Sequence, residues 1–257
     1  MKVLVTFAVD PEFAPWRRRW PFQSAGDHGT RAWQATVFGC NVTVLLTGMG
    51  SQAAVSAVDA IARERRFDIC ISSGMAGALR KGLRPGDIIA PQLVIPDSSA
   101  PELKINQLGV DFRLRELAIH CGARATACLF TTDRVLITRS EKKRFARRAD
   151  AVDMESFGVL AEAGASGLNC LIIRSISDVA SEDLPIDFNR TRSGDDQVSL
   201  PKVLRELAKH PLAILRLIRF GRQSRRAAEA LADFLDTYIE ALGKMDVVSS
   251  QNQVGAA

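Results

Sequence analysis

The sequence lacks any long apolar run. None of its apolar stretches reaches the roughly 18 residues that a membrane-spanning helix needs, so the sequence argues against an integral membrane protein. Residues 1–9 are apolar, but Lys2 is the only charge among them and no small-residue cleavage site follows. We therefore expect a first β-strand there, not a signal peptide, and a cytoplasmic protein.

Cysteine and histidine are too few and too scattered to indicate a disulfide scaffold or a metal site. The cysteines are odd in number and no two are close in sequence, and they stand at Cys40, Cys70, Cys121, Cys128 and Cys170. This pattern favours reduced core thiols over a disulfide scaffold. The histidines, His28, His120 and His210, have no partner at ligand spacing, so we expect no metal site.

Acidic residues are nearly absent from one segment of the chain. Between Leu200 and Arg226, eight basic residues and the single acid Glu206 give a charge of +7, against +5 for the whole chain. The remainder is therefore mildly acidic, which argues against a general nucleic-acid surface. With 257 residues and 47% hydrophobic content, we expect one α/β domain over 1–243. We expect a basic helical insertion at about 198–226 and a disordered tail over 244–257.

Several predicted strands end in small or acidic residues. Asp10-Pro11-Glu12 follows the first strand, where Asp10 suits a helix N-cap. Thr47-Gly-Met-Gly50 and Ser72-Ser-Gly-Met-Ala-Gly77 follow two others, and their glycines allow backbone N–H groups to approach a ligand. Neither has the lysine of a P-loop or the full dinucleotide fingerprint.

Two carboxylates stand out further along the chain. Glu155 ends Val152-Asp-Met-Glu155, where an extended segment gives way to a helix, and Asp178 ends Arg174-Ser-Ile-Ser-Asp178 after a buried strand. Ligands of open α/β sheets bind at the carboxyl ends of strands. Taken alone, Asp178 also fits a turn residue or helix cap.

The two motifs together resemble the purine nucleoside phosphorylase and uridine phosphorylase family. The likeness is greatest to its methylthioadenosine/S-adenosylhomocysteine nucleosidases, and it runs from residue 1 to about residue 190. It implies a three-layer αβα sandwich with a central twisted mixed sheet, no cofactor, and a homo-oligomer. It also implies cleavage of the N-glycosidic bond of an adenosine-type nucleoside.

The resemblance assigns roles to residues at matching positions. Asp178 is the general acid toward N7 of the base, Glu12 positions the attacking water, and Glu155 accepts hydrogen bonds from the ribose hydroxyls. Met154 packs under the ribose, and Val135 stands where an aromatic residue stacks on the purine in the small-substrate nucleosidases. The remaining predicted substrate-binding residues are Gly48, Ser73, Gly74, Met75, Asp153 and Ser177.

One position bears on the choice between hydrolysis and phosphorolysis. Phosphorylases of this family hold phosphate with an arginine that corresponds to Ser72. Its absence favours water as the nucleophile, although an arginine from elsewhere in the chain is an alternative. A phosphorylase and a non-catalytic nucleoside-binding module therefore stay open, and the retention of Glu12, Glu155 and Asp178 argues against the module.

Two other charged segments allow more than one interpretation. Ser140–Arg148 predicts a short helix with a solvated basic face and Ser140 as its cap. Within Leu200–Arg226, Pro211–Phe220 is apolar and bordered by arginines, as in a helix packed on the domain or on another subunit. An interfacial helix on anionic lipid is the alternative. It fits a resemblance to a branch of the family associated with hopanoid synthesis and release of adenine from adenosylhopane.

Overall fold

A computed structural model describes residues 1–26, 29–97, 106–187, 189 and 213–254, with side chains of the last helix described over 217–245. The strands form two mixed six-stranded sheets, and helices cover both faces of the first. The α/β class predicted from the sequence is confirmed, and the expected central sheet is divided into these two.

The first sheet contains the N-terminal strand at its centre. Its order is β11-β5-β1-β4-β3-β2. The strands are β1 (Lys2–Phe7), β2 (Gln23–Ser24), β3 (Ala32–Val37), β4 (Cys40–Leu46), β5 (Ile69–Ser72) and β11 (Asn169–Ile172). β1 is parallel to both β4 and β5, so the carboxyl ends of these three strands share one edge.

The second sheet curls back on itself. Its order is β12-β6-β10-β9-β7-β8, and β12 also pairs with β7, which closes five strands into a small barrel. The strands are β6 (Met75–Ala78), β7 (Ile88–Pro96), β8 (Leu108–Gly109), β9 (Arg124–Thr131), β10 (Ala151–Asp153) and β12 (Arg174–Asp178). β9 and β10 run parallel, which brings the residues after both strands to the same end.

Helices cover the two faces of the first sheet because β1 is apolar on both sides. Val3, Val5 and Phe7 belong to one buried cluster and Leu4 to another. The helices are α1 (Asp10–Arg17), α2 (Ser51–Glu64), α3 (Phe112–His120), α4 (Arg139–Phe145), α5 (Ser156–Ala165) and α6 (Ala213–Val254). α1, α3 and α6 contribute to the first cluster, and α2 and α5 to the second, which gives three layers.

The last helix is longer than the sequence suggested. The stretch Ala227–Leu242, which has apolar residues at helical spacing, lies inside α6, and its apolar face packs on the first sheet. α6 extends through Val254, where the sequence suggested a disordered tail from 244. The part of the basic insertion over 198–212 lies outside the described residues. Among the residues described, no helix has both the length and the apolar composition needed to cross a membrane.

Candidate active site

One pocket collects the residues that follow five strand ends. It has a volume of about 410 Å³, within the range of small-molecule sites. Of the predicted site residues, those that line it are Glu12, Met75, Val135, Asp153, Met154, Glu155, Ser177 and Asp178. Gly48, Ser73 and Gly74 are not among the lining residues. Gly48 precedes the lining residue Met49, and the buried Ser73 precedes Gly74, which lies behind Glu12.

Glu12 is held rigidly at the start of α1. Its Oε2 accepts the backbone N–H groups of Ala8 and Val9 at 3.0 and 3.3 Å, and its Oε1 accepts that of Met75 at 2.9 Å. A Cβ on Gly74 would lie 3.3 Å from Oε1, so a larger residue there would crowd the carboxylate. Burial raises the pKa of Glu12, and the backbone hydrogen bonds oppose that shift.

The start of α1 differs in one respect from the sequence prediction. The N-cap is Val9 and not Asp10, and Asp10 lies inside the helix. The helix therefore begins one residue earlier than predicted, and Glu12 occupies its third position. There its carboxylate reaches back to the N–H of Val9, as an acidic residue at this position does in a capping box.

Glu155 lies between β10 and α5. Its Oε1 accepts the N–H of Gly50 at 2.8 Å, and the hydroxyl of the next residue, Ser51, donates to the carbonyl of Met154 at 3.2 Å. Gly50 has φ 93°, a conformation that glycine adopts without strain. Desolvation, with the nearby charges of Asp153 and Glu12, raises the pKa of Glu155 to about 8.

The raised pKa of Glu155 predicts how the stability of the protein depends on pH. Because the pKa of Glu155 in the folded protein lies above its ordinary value of 4.5, the protonated side chain contributes to the stability of the fold. This stabilisation is fully present below pH 4.5 and is lost as the pH rises through about 8. Glutamine cannot ionise, so Glu155→Gln should raise the melting temperature relative to the wild type more at pH 8.5 than at pH 5. Thermal unfolding at both pH values measures this, with exposed Glu64→Gln as control. An equal difference at both pH values would contradict the assignment.

Asp153 lines the pocket, but its carboxylate is engaged by the protein itself. It accepts the Thr131 hydroxyl at 2.7 Å, the Ser156 N–H at 3.0 Å and the Arg174 Nε at 2.9 Å. Asp153 and Arg174 are 5% and 1% exposed. A buried ion pair with these additional hydrogen bonds fixes the junction between β10 and α5, so the geometry favours support of Glu155 over direct contact with a ligand.

Arg174 explains how the chain fills the space beside Ser72. Its Nη1 donates to the carbonyls of Ser72 and Ile173 at 2.8 and 2.9 Å. Its Nη2 lies 3.0 Å from Ser72 Oγ and 2.9 Å from Asp153 Oδ2. With Nε also bound to Asp153, all five N–H donors of the guanidinium have acceptors in the protein. Arg174 therefore does not replace the missing phosphate-binding arginine.

Asp178 ends β12 and points into the pocket. Its Oδ1 accepts the Ser177 hydroxyl at 2.7 Å, and its Oδ2 receives the Lys142 ammonium. A Cβ on Gly77 would lie 3.2 Å from Oδ1, so the absence of a side chain there makes room for the carboxylate. The side chain is therefore fixed from three sides, and the residue lines the pocket.

Lys142 lies in the pocket lining, although the sequence did not predict it there. The basic run over Ser140–Arg148 was predicted to be a solvated face, but Lys142 is 1% exposed and lines the pocket. The cap of α4 is also Thr138 and not Ser140. Lys142 and Lys143 are adjacent and chemically alike, so only the tertiary structure identifies which of them faces inward.

Part of the pocket lining is apolar. Val135, Leu136, Leu184 and Phe220 contribute to its lining. The backbone of Val135 is paired with one side chain, since Asn189 Oδ1 accepts its N–H at 2.9 Å and Asn189 Nδ2 donates to its carbonyl at 3.0 Å. Within the described part of the chain, no group of three His, Cys, Asp or Glu residues is placed to hold a metal ion.

Comparison with known proteins gives one family and several similar folds. The family model of the phosphorylase superfamily matches residues 2–240. A futalosine hydrolase mutant of Helicobacter pylori is 17% identical with a TM-score of 0.72, and the match covers 93% of this chain and 99% of that one. The 5′-methylthioadenosine/S-adenosylhomocysteine nucleosidase of Neisseria meningitidis, in complex with methylthio-immucillin-A, is 20% identical with a TM-score of 0.71 over the same shares.

A third structure is the corresponding nucleosidase of S. pneumoniae with the transition-state inhibitor MT-ImmA. It is 18% identical with a TM-score of 0.72, and the match covers 94% of this chain and 100% of that one. At these identities the structures establish the fold, whereas the family model spans nearly the whole sequence. The chain therefore belongs to the phosphorylase superfamily.

Proposed function

We propose that the protein hydrolyses the N-glycosidic bond of an adenosine-type purine nucleoside that carries a 5′ substituent. The observation that carries this proposal is the meeting of Glu12, Glu155 and Asp178 in one pocket, from three different strand ends. Each of the three carboxylates is held by hydrogen bonds from the protein. Such preorganisation is typical of a catalytic site.

The three carboxylates match the three demands of the reaction. As the C1′–N9 bond breaks, negative charge develops on the purine, and a proton from Asp178 to N7 removes it. The ribosyl group becomes cationic, and the carboxylate of Glu155 stabilises it while it accepts hydrogen bonds from the ribose hydroxyls. These interactions favour the ionised form of Glu155, which is less favoured in the empty pocket. Glu12 orients the water that adds to C1′.

The charge inventory of the pocket supports water as the nucleophile. The cationic side chains among its lining residues are Arg134 and Lys142, and both are paired with carboxylates, Glu141 and Asp178. Arg174 has no free donor, as described above. A phosphate dianion entering this pocket would meet three carboxylates and no unpaired cation among the described residues. Phosphorolysis is the alternative, and a non-catalytic binding module is the least favoured function.

The apolar residues in the pocket lining support an apolar 5′ substituent. Val135 replaces a stacking aromatic with a smaller side chain, and it lies in the same lining as Leu184 and Phe220. Phe220 belongs to α6, in the segment that extends the chain beyond the small-substrate nucleosidases. A lipid-linked nucleoside such as adenosylhopane fits this combination, with adenine as the base released.

The same segment of α6 supports a peripheral contact with anionic lipid. Arg219, Arg222, Arg225 and Arg226 are exposed near the pocket, and Ile218 is 47% exposed beside them. Exposed arginines alternating with apolar side chains are typical of interfacial helices. A nucleoside with a lipid substituent would reach the pocket from such a surface.

A panel of nucleosides tests the proposed substrate. Adenosine, methylthioadenosine, S-adenosylhomocysteine and adenosines with 5′ alkyl chains of increasing length are incubated with the enzyme, and free adenine is quantified. We expect kcat/KM to rise with chain length, because each buried methylene contributes about 0.8 kcal/mol. Turnover of methylthioadenosine faster than of every longer substrate would contradict the apolar substituent, and release of no base from any nucleoside would contradict the function.

Sedimentation with liposomes tests the membrane contact. We expect the protein to bind vesicles of anionic phospholipid at low salt and to dissociate at high salt, because the contact is electrostatic. Replacing Arg222 and Arg225 with Gln should weaken binding. The same replacement at the exposed Arg63 of α2 and at the exposed Arg66 after it should not. Absence of binding at low salt would exclude the contact.

A further inference from the structure

Lys142 is buried in a way that needs explanation. It lies on α4, which begins at a capping box formed by Thr138 and Glu141, and its side chain is 1% exposed. The next residue, Lys143, is exposed on the same helix. Burying an ammonium group costs several kcal/mol unless acceptors surround it, so the position of Lys142 requires specific partners.

Those partners come from the end of β12 and from the loop that follows it. The Lys142 ammonium contacts Asp178 Oδ2 and donates to the carbonyls of Val179 and Glu182 at 3.0 and 3.1 Å. An ammonium group has three N–H donors, so none remains for a ligand in the pocket. Lys142 is therefore placed to act on a bound nucleoside only through Asp178.

The acidic residues next to Lys142 in α4 and in the loop after β12 have other partners. Glu141 pairs with Arg134 at 2.6 Å, and Glu182 pairs with Arg219 of α6 at 2.6 Å. The carboxylate of Asp183 accepts the backbone N–H of Arg139 at 2.7 Å. Lys143 and Arg144 are exposed, and Glu12, Asp153 and Glu155 face the same pocket from α1 and β10. The Lys142–Asp178 pair is thus a distinct unit within this charge distribution.

The pair bears on the proton that the reaction needs. A carboxylate beside an ammonium group is favoured in its charged form, whereas the leaving purine requires a proton from it. A Lys–Asp pair holds one transferable proton, present either as ammonium with carboxylate or as amine with carboxylic acid. The pair is neutral overall in both arrangements, so moving the proton within it creates no net buried charge.

We propose that Lys142 is a positioning residue that orients Asp178 and supplies the proton Asp178 delivers; this rests on the proposed function. The proton passes from Lys142 Nζ to the carboxylate and from the carboxyl group to N7 of the purine. Meanwhile the C1′–N9 bond breaks and its electron pair stays on the purine. The water that adds to C1′ loses a proton to Glu12. Exchange with solvent then returns that proton and restores the Lys142 ammonium.

Three variants separate proton supply from orientation and from structure. Lys142→Met removes both the charge and the proton. Lys142→Arg keeps a charged partner for Asp178, but a guanidinium does not give up its proton in proteins. Lys143→Met is the matched control, since it makes the same change at an exposed position of the same helix. For each variant, kcat and KM for base release are measured from pH 6 to pH 9.

We expect Lys142→Met to lower kcat about 100-fold at pH 8. The loss should be smaller at pH 6, where solvent supplies protons more readily, and KM should change less than threefold. Lys142→Arg should stay impaired at pH 8, and Lys143→Met should match the wild type. Equal activity of Lys142→Met and wild type across this range would overturn the proposal. Full activity of Lys142→Arg at pH 8 would overturn the proton supply.

Two further results keep the test decisive. If Lys142→Met does not fold, Lys142→Gln carries the same expectation, because its amide is uncharged and still donates to the carbonyls of Val179 and Glu182. An active wild type with unaffected variants refutes the role of Lys142 alone. A wild type that neither releases base nor binds adenine in calorimetry refutes the proposed function and this role together.

Discussion

Replacing Asp178 with asparagine is expected to reduce base release by about 10²–10⁴-fold, the usual contribution of general acid catalysis. Asparagine has nearly the same shape, so it keeps an oxygen acceptor for Ser177 or Lys142 but carries no proton for N7. The loss should appear in kcat at every pH. Steady-state kinetics with the best substrate of the nucleoside panel measures it.

Stability has to be followed in the same variant. Asp178→Asn leaves the buried Lys142 ammonium without its carboxylate partner, which destabilises a protein. The double variant Asp178→Asn with Lys142→Met removes both charges and should be folded but inactive. Asp183→Asn, in the exposed part of the following loop, is the matched control and should keep full activity. If Asp178→Asn retains more than half of the activity, it is not the general acid.

Replacing Glu12 with glutamine is expected to lower kcat for hydrolysis by about 10²-fold, with a smaller change in KM. Both oxygens of Glu12 accept backbone N–H groups, and a glutamine can present an oxygen to only one side. The variant therefore loses the charge that orients water and also the backbone hydrogen bonds to one of the two oxygens. Kinetics with and without phosphate, together with a melting curve, measure the two effects.

The control for Glu12→Gln is a glutamate that lies outside the pocket. Glu116→Gln changes a half-exposed glutamate on α3, away from the pocket, and should leave kcat unchanged. If Glu12→Gln has wild-type activity and base release depends on phosphate, the nucleophile is phosphate and the phosphorylase alternative holds.

The positions of the three carboxylates were predictable because each lies just after a strand. A short apolar strand followed by an acidic residue is a local pattern, and parallel strands bring such residues to one edge. The glycines are subtler. Gly74 matters through the space it leaves for Glu12, and Gly77 does the same for Asp178, although no local sequence pattern connects either pair.

Other features depend on contacts between distant parts of the chain, and no local pattern predicts them. Three consecutive arginines in Trp16-Arg-Arg-Arg-Trp20 are typical of a surface segment, yet Trp16 is fully buried. Both tryptophan Nε1 groups donate to Asp236 of α6, each at 2.7 Å and more than 200 residues away. The burial of Lys142 has the same origin, since its acceptors lie on β12 and the loop that follows.

Arg174 belongs to the motif Arg174-Ser-Ile-Ser-Asp178, but no role for it follows from the sequence. In the structure its guanidinium is buried, and its donors are taken up by Ser72, Ile173 and Asp153. Arg174 therefore supports the site indirectly, by holding Asp153 in place. The expected homo-oligomer stays a prediction, which sedimentation of the purified protein would test.

Analysis of the sugar product tests the central claim most directly. The enzyme is incubated with its best purine nucleoside, once in phosphate-free buffer and once with about 10 mM phosphate, which exceeds the usual KM range of about 1 μM to 1 mM. Mass spectrometry then identifies the sugar. We predict equal base release in both buffers, with the free reducing sugar as product. Base release only with phosphate, with the sugar 1-phosphate as product, would contradict the account.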